Sequence, residues 1–331
     1  MKSTTLFRAI AVVGFFFAVF HSFAVVINPN DYLVSVKLSG SNVVREYTPS
    51  GTLVQTIPFQ YPGGYPATES IGDIVIDNSG MLNAYNGRFQ PFLTRYDPIT
   101  NTFSHQTFPG LSTDNLGSIT SIGDYVFMAD RATGSGTSLL NGIVRFDLAT
   151  NVAVRFGDGI NFADLNIGLD GNLYGLYGGT VAVYDPLSLV LQRTVTLPSL
   201  PGDAPVSIAV DQFGMLYIGG YEASLYKVDP FGTLLNSISL GFKVLTDFDI
   251  NAAGTLLVGF NDGRVVVSNT TLNSFSTLVP YSASASYSLV SFARPTTSII
   301  PEPSTRLIGV LVLFSIFVGG TARRIRVKRG C

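Results

Sequence analysis

The 331-residue chain has no tryptophan, one cysteine and two histidines, and only 13% of it is charged. Each scarcity removes a class of explanation. The one cysteine, Cys331, is the final residue, so no disulfide frames the fold and no thiolate pair is at hand to ligate zinc. His21 falls in an apolar N-terminal stretch and His105 stands alone in the body, leaving no material for a Ser-His-Asp triad or a His-based zinc site. Low charge beside Gly 34, Pro 17, Tyr 15 and Phe 24 argues against a helical bundle, which would be rich in Ala, Glu, Lys and Leu. Positive charge is scarce in the body: residues 25–300 hold 12 Lys and Arg against 21 Asp and Glu, a net of −9, which excludes nucleic acid as a partner. Neither a Gly-rich phosphate loop nor a nucleotide fingerprint is present.

What is abundant is apolar sequence at the two ends. Lys2 and Arg8 precede the 12-residue run Ala9–Phe20, and Ser22-Phe23-Ala24 offers small residues at the −3 and −1 positions of a cleavage site after Ala24. Residues 1–24 therefore read as a secretory signal peptide, removed by signal peptidase during export. At the other end Pro301-Glu302-Pro303 interrupts regular structure, because proline lacks an N–H. Leu307–Ala322 follows as 16 uncharged residues, about 24 Å as a helix. The basic tail of residues 323–329, with Arg323, Arg324 and Arg326, then holds that end in the cytoplasm and leaves the body outside.

The order Pro301-Glu302-Pro303, apolar helix, Arg-rich tail resembles a PEP-CTERM sorting signal over about 31 residues. The resemblance implies export in a Gram-negative bacterium, recognition by an exosortase-type membrane protease and cleavage near the PEP motif. It also implies an association with extracellular polysaccharide and biofilm matrix. These residues are then recognition elements for another enzyme.

Between the ends the sequence repeats. The phrase Ile74-Val75-Ile76-Asp77-Asn78-Ser79-Gly80-Met81-Leu82 recurs as Ile208–Tyr217, Phe248–Leu257 and, with a shorter turn, Asn166–Tyr174; Ile119–Phe127 is a weaker copy. A second phrase follows each copy: Tyr96-Asp97-Pro98, Phe146-Asp147-Leu148, Tyr184-Asp185-Pro186, Val228-Asp229-Pro230 and the degenerate Ser268-Asn269-Thr270, with Tyr47-Thr48-Pro49 beginning the series. Successive phrases lie 49, 50, 38, 44 and 40 residues apart. Units of that length with four short strands each predict an all-β, six-bladed β-propeller over residues 25–295. The first unit lacks its opening strand, and Tyr287–Ala293 at the far end is expected to supply it and close the ring. Residues 296–331 form the linker and sorting signal. At the level of the per-blade pattern the body resembles NHL-repeat, streptogramin-lyase and gluconolactonase-like propellers.

Candidate chemistry in the body is acidic. Glu69, Asp114, Asp164, Asp203 and Asp247 each fall shortly before an innermost strand and are expected at one mouth of the central channel. Carboxylates converging there, with Asn115 and Asn166, have the oxygen chemistry for Ca²⁺ or another divalent cation. The bland reading is a solvated acidic rim that requires no cofactor. Asp77, Asp170 and Asp211 read as turn residues, and Tyr96, Phe146, Tyr184 and Tyr226 as inter-blade core. The leading expectation is a non-catalytic binding or scaffold module at the cell surface, with a matrix polysaccharide as ligand. The alternative is a metal-dependent lactonase- or lyase-like enzyme at the acidic mouth, and a third reading is a sensor whose helix stays embedded.

Overall fold

The computed structural model describes residues 26–293, apart from 39–40, 64–70, 87–90, 109–110, 112–116, 132–140, 202 and 242–243. The expected signal peptide with Ala24, the Pro301–Pro303 motif, the apolar run and the basic tail lie outside the described residues, as do Glu69 and Asp114.

Alternating β-branched and aromatic residues, broken every five to seven positions by Asp-Gly, Asp-Pro or Asn turns, dictate short antiparallel strands. The first three are β1 (Tyr32–Leu38), β2 (Ser41–Tyr47) and β3 (Leu53–Pro58). Complete four-stranded units follow. They are β4 to β7 (Asp73–Ile76, Leu82–Asn86, Phe92–Asp97, Thr102–Thr107) and β8 to β11 (Ile119–Ile122, Tyr125–Asp130, Gly142–Asp147, Val152–Phe156). Next come β12 to β15 (Asp164–Ile167, Leu173–Tyr177, Thr180–Tyr184, Leu191–Thr196) and β16 to β19 (Pro205–Val210, Leu216–Gly220, Ser224–Val228, Leu234–Ser239). The last unit is β20 to β23 (Leu245–Ile250, Thr255–Phe260, Val265–Asn269, Phe275–Val279), and β24 (Ala285–Phe292) ends the body.

These strands form six separate four-stranded sheets, five of them consecutive in sequence. The sixth has the order β24-β1-β2-β3, with Tyr32 opposite Phe292 and Val34 opposite Val290. The C-terminal strand thus completes the blade that the N-terminus begins, as expected from the sequence. Innermost strands β24, β4, β8, β12, β16 and β20 each touch the next around a closed ring. The architecture is a six-bladed β-propeller.

The core is divided among the blade junctions. Six apolar clusters occur, one per junction: Leu33 and Val44 meet Ile74 and Leu82 between blades 1 and 2, and Leu176 and Val183 meet Ile208 and Ile218 between blades 4 and 5. The remaining four junctions are filled in the same way. Second strands are almost wholly buried, whereas outer strands such as Thr102–Thr107 and Leu191–Thr196 face solvent and are built of Thr, Ser, Gln and Arg. Tyr96, Phe146, Tyr184 and Tyr226 are buried in these junctions and offer no surface for stacking a ligand.

Candidate functional site at the channel mouth

The inner strands begin at one end of the channel, and their first inward position follows a pattern. Around the ring from blade 2 it is Asp73, Ser118, Asp164, Ser207, Asp247 and Leu289, so that acid alternates with hydroxyl until leucine breaks the series in blade 1. Each polar member accepts a backbone N–H from the next blade. Asp73 Oδ2 takes Ile119 N at 2.8 Å, Ser118 Oγ takes Leu165 N at 3.1 Å, and Asp164 Oδ2 takes Ile208 N at 2.7 Å. Ser207 Oγ takes Phe248 N at 3.3 Å and Asp247 Oδ2 takes Val290 N at 2.9 Å. Five of six junctions are therefore stitched at this level. At the sixth, Leu289 has no oxygen to offer, and Ile74 N turns to its own Asp73 Oδ1 at 2.7 Å. One step deeper, Thr120, Asn166 and Asp249 repeat the device, accepting Ile167 N, Val210 N and Phe292 N.

The serines also join the acids. Ser118 Oγ lies 3.0 Å from Asp73 Oδ2 and 2.6 Å from Asp164 Oδ1; Ser207 Oγ lies 2.7 Å from Asp164 Oδ2 and 3.4 Å from Asp247 Oδ1. A hydroxyl has one proton to donate, so where both of its carboxyl contacts are hydrogen bonds, one needs a proton on the carboxyl itself. Electrostatics agree. Burial drives Asp73 and Asp247 well above the ordinary carboxylate range, helped by Asp247 and Asp164 acting on Asp73 and by Asp164 acting on Asp247. Asp164 is raised by burial too, against the pull of its four hydrogen-bond donors.

Above this floor lies a recess of about 340 Å³. Its wall includes Arg131, Tyr221, Thr246 and Asn261. Arg131 Nε and Asn261 Oδ1 are buried there without a hydrogen-bond partner, and burial lowers the pKa of Arg131. Below the floor the channel narrows to two spaces of about 40 Å³ each, room for little more than water.

The sequence-predicted acids fare differently. Asp164 and Asp247 do meet at the mouth. Asp203 does not join them: its Oδ1 accepts Glu222 N at 2.7 Å, and a Cβ on Gly220 would fall 1.9 Å from its Oδ2, so it braces the β17–β18 turn within blade 5. Asp73, the third floor acid, was not singled out from sequence. Its signal was present, because Asp73-Ile74-Val75-Ile76 aligns with Asp164-Leu165-Asn166-Ile167 and Asp247-Phe248-Asp249-Ile250. Asn166 spends its carbonyl oxygen on Val210 N. Among the described residues no group of three or more His, Cys, Asp or Glu side chains is disposed to hold a metal ion.

Residues read as structural take structural places. Asp77 caps its turn through Ser79 N and Met81 N and pairs with Arg95 at 2.9 Å; Asp211 takes Phe213 N and Met215 N, and Asp170 takes Asn172 N. His105 sits on the outermost strand of blade 2 with Nδ1 2.9 Å from Thr94 Oγ1, far from the axis, and burial lowers its pKa.

No protein-family model matches the chain, and no curated protein matches it. Among solved structures it is similar to one described as the structure of the Dos1 propeller, at 16% identity and a TM-score of 0.47, over 76% of this chain and 69% of that one. The propeller assignment rests on the chain's own sheet order and ring closure.

Proposed function

We propose that this chain is an exported propeller, sorted at the cell envelope through Pro301-Glu302-Pro303, the apolar run 307–322 and the tail bearing Arg323, Arg324 and Arg326. There it serves as a non-catalytic binding or scaffold module whose ligand is a matrix polysaccharide. One observation supports the binding role above others. The mouth holds a recess of about 340 Å³ whose floor carboxyl oxygens already accept hydrogen bonds from the protein, while the wall keeps Arg131 Nε and Asn261 Oδ1 unspent. Buried polar atoms without partners are costly, and a ligand rich in hydroxyls and carboxylates that turns the Arg131 and Asn261 side chains toward the recess repays that cost on binding. Such a floor braces the ring, and the wall meets the ligand.

Calorimetric titration of the mature protein with polysaccharide fractions from the producing cells tests this reading. Binding that weakens at least tenfold in Arg131→Ala and Tyr221→Ala, with an unchanged melt, is the expected result. Absence of binding to every fraction overturns it. Mass spectrometry of the exported protein tests the sorting reading. The expected N-terminus is Val25 and the expected C-terminus lies near residues 301–303; an intact Cys331 end would favour a sensor with a retained helix.

The second reading, a divalent-metal-dependent lactonase- or lyase-like enzyme, draws on the convergence of Asp73, Asp164 and Asp247. A thermal melt in EDTA against millimolar Ca²⁺, Mg²⁺ and Mn²⁺ separates the two readings. A cation at about 100 times its dissociation constant adds about 2.7 kcal/mol, which moves the midpoint visibly. A metal-specific rise that vanishes in Asp247→Asn would favour the enzyme.

A further inference from the structure

The face opposite the recess is where the chain arrives and leaves. In blade 1, Phe292, Tyr32, Tyr47 and Leu53 stand in one row across the sheet, so residues 26–31, the turn 48–52 and Ala293 share one end. In blade 5 the corresponding row is Val210, Leu216, Val228 and Leu234, which puts the β16–β17 and β18–β19 turns at that same end. The inner strands all start at the recess, so these rows form a single face of the ring.

That face presents bare apolar tips. The third residue of each outer turn, read around the ring, is Ser50, Ile99, Ala149, Leu187, Phe231 and Thr271. Phe231 is 89% exposed and Ile99 67%; Leu187 is exposed beside them, and Phe213 in the neighbouring turn is 72% exposed. Blade 2, which bears Ile99, lies across the six-membered ring from blade 5, which bears both phenylalanines. Tips placed on opposite sides of a disc do not make one patch for a small partner. They do touch a flat apolar surface together. Apolar side chains exposed singly need no partner; what sets these apart is that all four stand on one face of the ring.

The sequence supplies that surface. Thirteen residues separate Ala293 from Leu307, where the 16-residue uncharged run begins, and thirteen residues span at most about 45 Å fully extended. The run therefore stays within one body's width of this face. The acids on the face, Asp97, Asp147, Asp185 and Asp229, turn a carboxylate oxygen back to their own turn N–H groups. Arg145, Arg193 and Lys227 reach these turns but donate to the carbonyl oxygens of Pro186 and Leu187, of Pro230 and of Thr270, and the four turn acids outnumber them, so the fit is to uncharged headgroups, not to anionic ones.

We infer that the chain-exit face rests on the surface of a bilayer of uncharged headgroups, with Ile99, Leu187, Phe213 and Phe231 in the interfacial layer and the recess pointing away. Aromatic and branched side chains at turn tips partition into that layer. The inference concerns the exported chain before cleavage near Pro301–Pro303 and rests on reading residues 307–322 as its membrane-held segment; the two can fail separately.

The absence of tryptophan makes the test direct, because one substitution introduces the only such fluorophore. The exported chain, from Val25 to Cys331, is reconstituted into phosphatidylcholine vesicles doped with headgroup-level spin-labelled lipid, as three variants: Phe231→Trp, Tyr221→Trp and Phe314→Trp. The expected result is strong quenching with a blue shift at 231, quenching at 314, and at 221 emission unchanged from that in detergent-free buffer. Quenching at 314 with 231 behaving like 221 overturns the inference and leaves the membrane-held segment standing. No quenching at 314 removes that segment's role; quenching at 231 would then still support a lipid-binding face, and its absence would overturn it.

Discussion

Asp164 is the most heavily used side chain of the mouth, accepting from Ser118, Ser207, Ile208 N and Leu165 N. Replacing it with alanine leaves the buried Ile208 N without an acceptor and takes one of two acceptors from each of Ser118, Ser207 and Leu165 N, across three blades. The expected cost is on the order of 3 kcal/mol, read from the urea midpoint. Asp203→Ala, which frees donors in a half-exposed turn, should cost distinctly less; equal costs would mean that the ring of acids is no brace. Glycine supplies a second prediction. A Cβ on Gly259 would lie 2.1 Å from Ser288 O, against the backbone of the closing strand. Gly259→Ala must push β24 away from β21, and a loss of about 1–3 kcal/mol is expected in the same assay.

Closure itself belongs to the element scale. Without β24, β1 becomes an open edge and the apolar cluster of Tyr32, Val34, Leu257 and Val290 loses one wall. A chain ending at Ser284 should lose cooperative unfolding and near-ultraviolet dichroism while keeping much of its strand signal; a sharp melt would show that five and three-quarter blades suffice. The sequence made this element legible because its repeat count left one strand missing at the front and one spare at the back. It made Asp164 and Asp247 legible for the same reason, since both stand immediately before a recognisable inner strand. Asp73 is masked in the sequence by Asp77, four residues on, whose turn phrase carries the stronger repeat signal. The alternation with serine was harder still: Ser118 and Ser207 look like any β-turn serine until the blades are wound into a ring. Asp203 was misplaced for a related reason. Proximity in sequence to β16 says nothing of which way a loop carboxylate turns, and Gly220 left the room that drew it to the β17–β18 turn.

For the whole molecule, two sets of aspartates pull in opposite directions with pH. Asp97, held low first by Thr100 Oγ1, and Asp147, Asp185 and Asp229, held low first by backbone N–H groups, stabilise the fold above the ordinary aspartate value of about 3.9 and lose that contribution as pH falls. Asp73, Asp164 and Asp247, raised by burial, contribute most below that value, and their contribution is lost as pH rises through their elevated values. The melting midpoint is therefore expected to peak in the mildly acidic range and to fall toward neutrality. Asp247→Asn should flatten the fall on the alkaline side; an unchanged slope would mean that this group is ionised throughout.

The pairing of β24 with β1 also sets how the molecule bears load. These strands run antiparallel, and their outer ends lie side by side at Tyr32 and Phe292. Tension between the two termini opens that ladder like a zipper, one bond at a time, so it yields at low force. Tension between a tethered C-terminus and a ligand gripped in the recess runs along β24 instead, loading the whole ladder with β1 and the Asp247 and Asp249 stitches in shear. Load applied between the C-terminal end and the recess therefore meets a mechanically strong path, and load applied between the two termini a weak one.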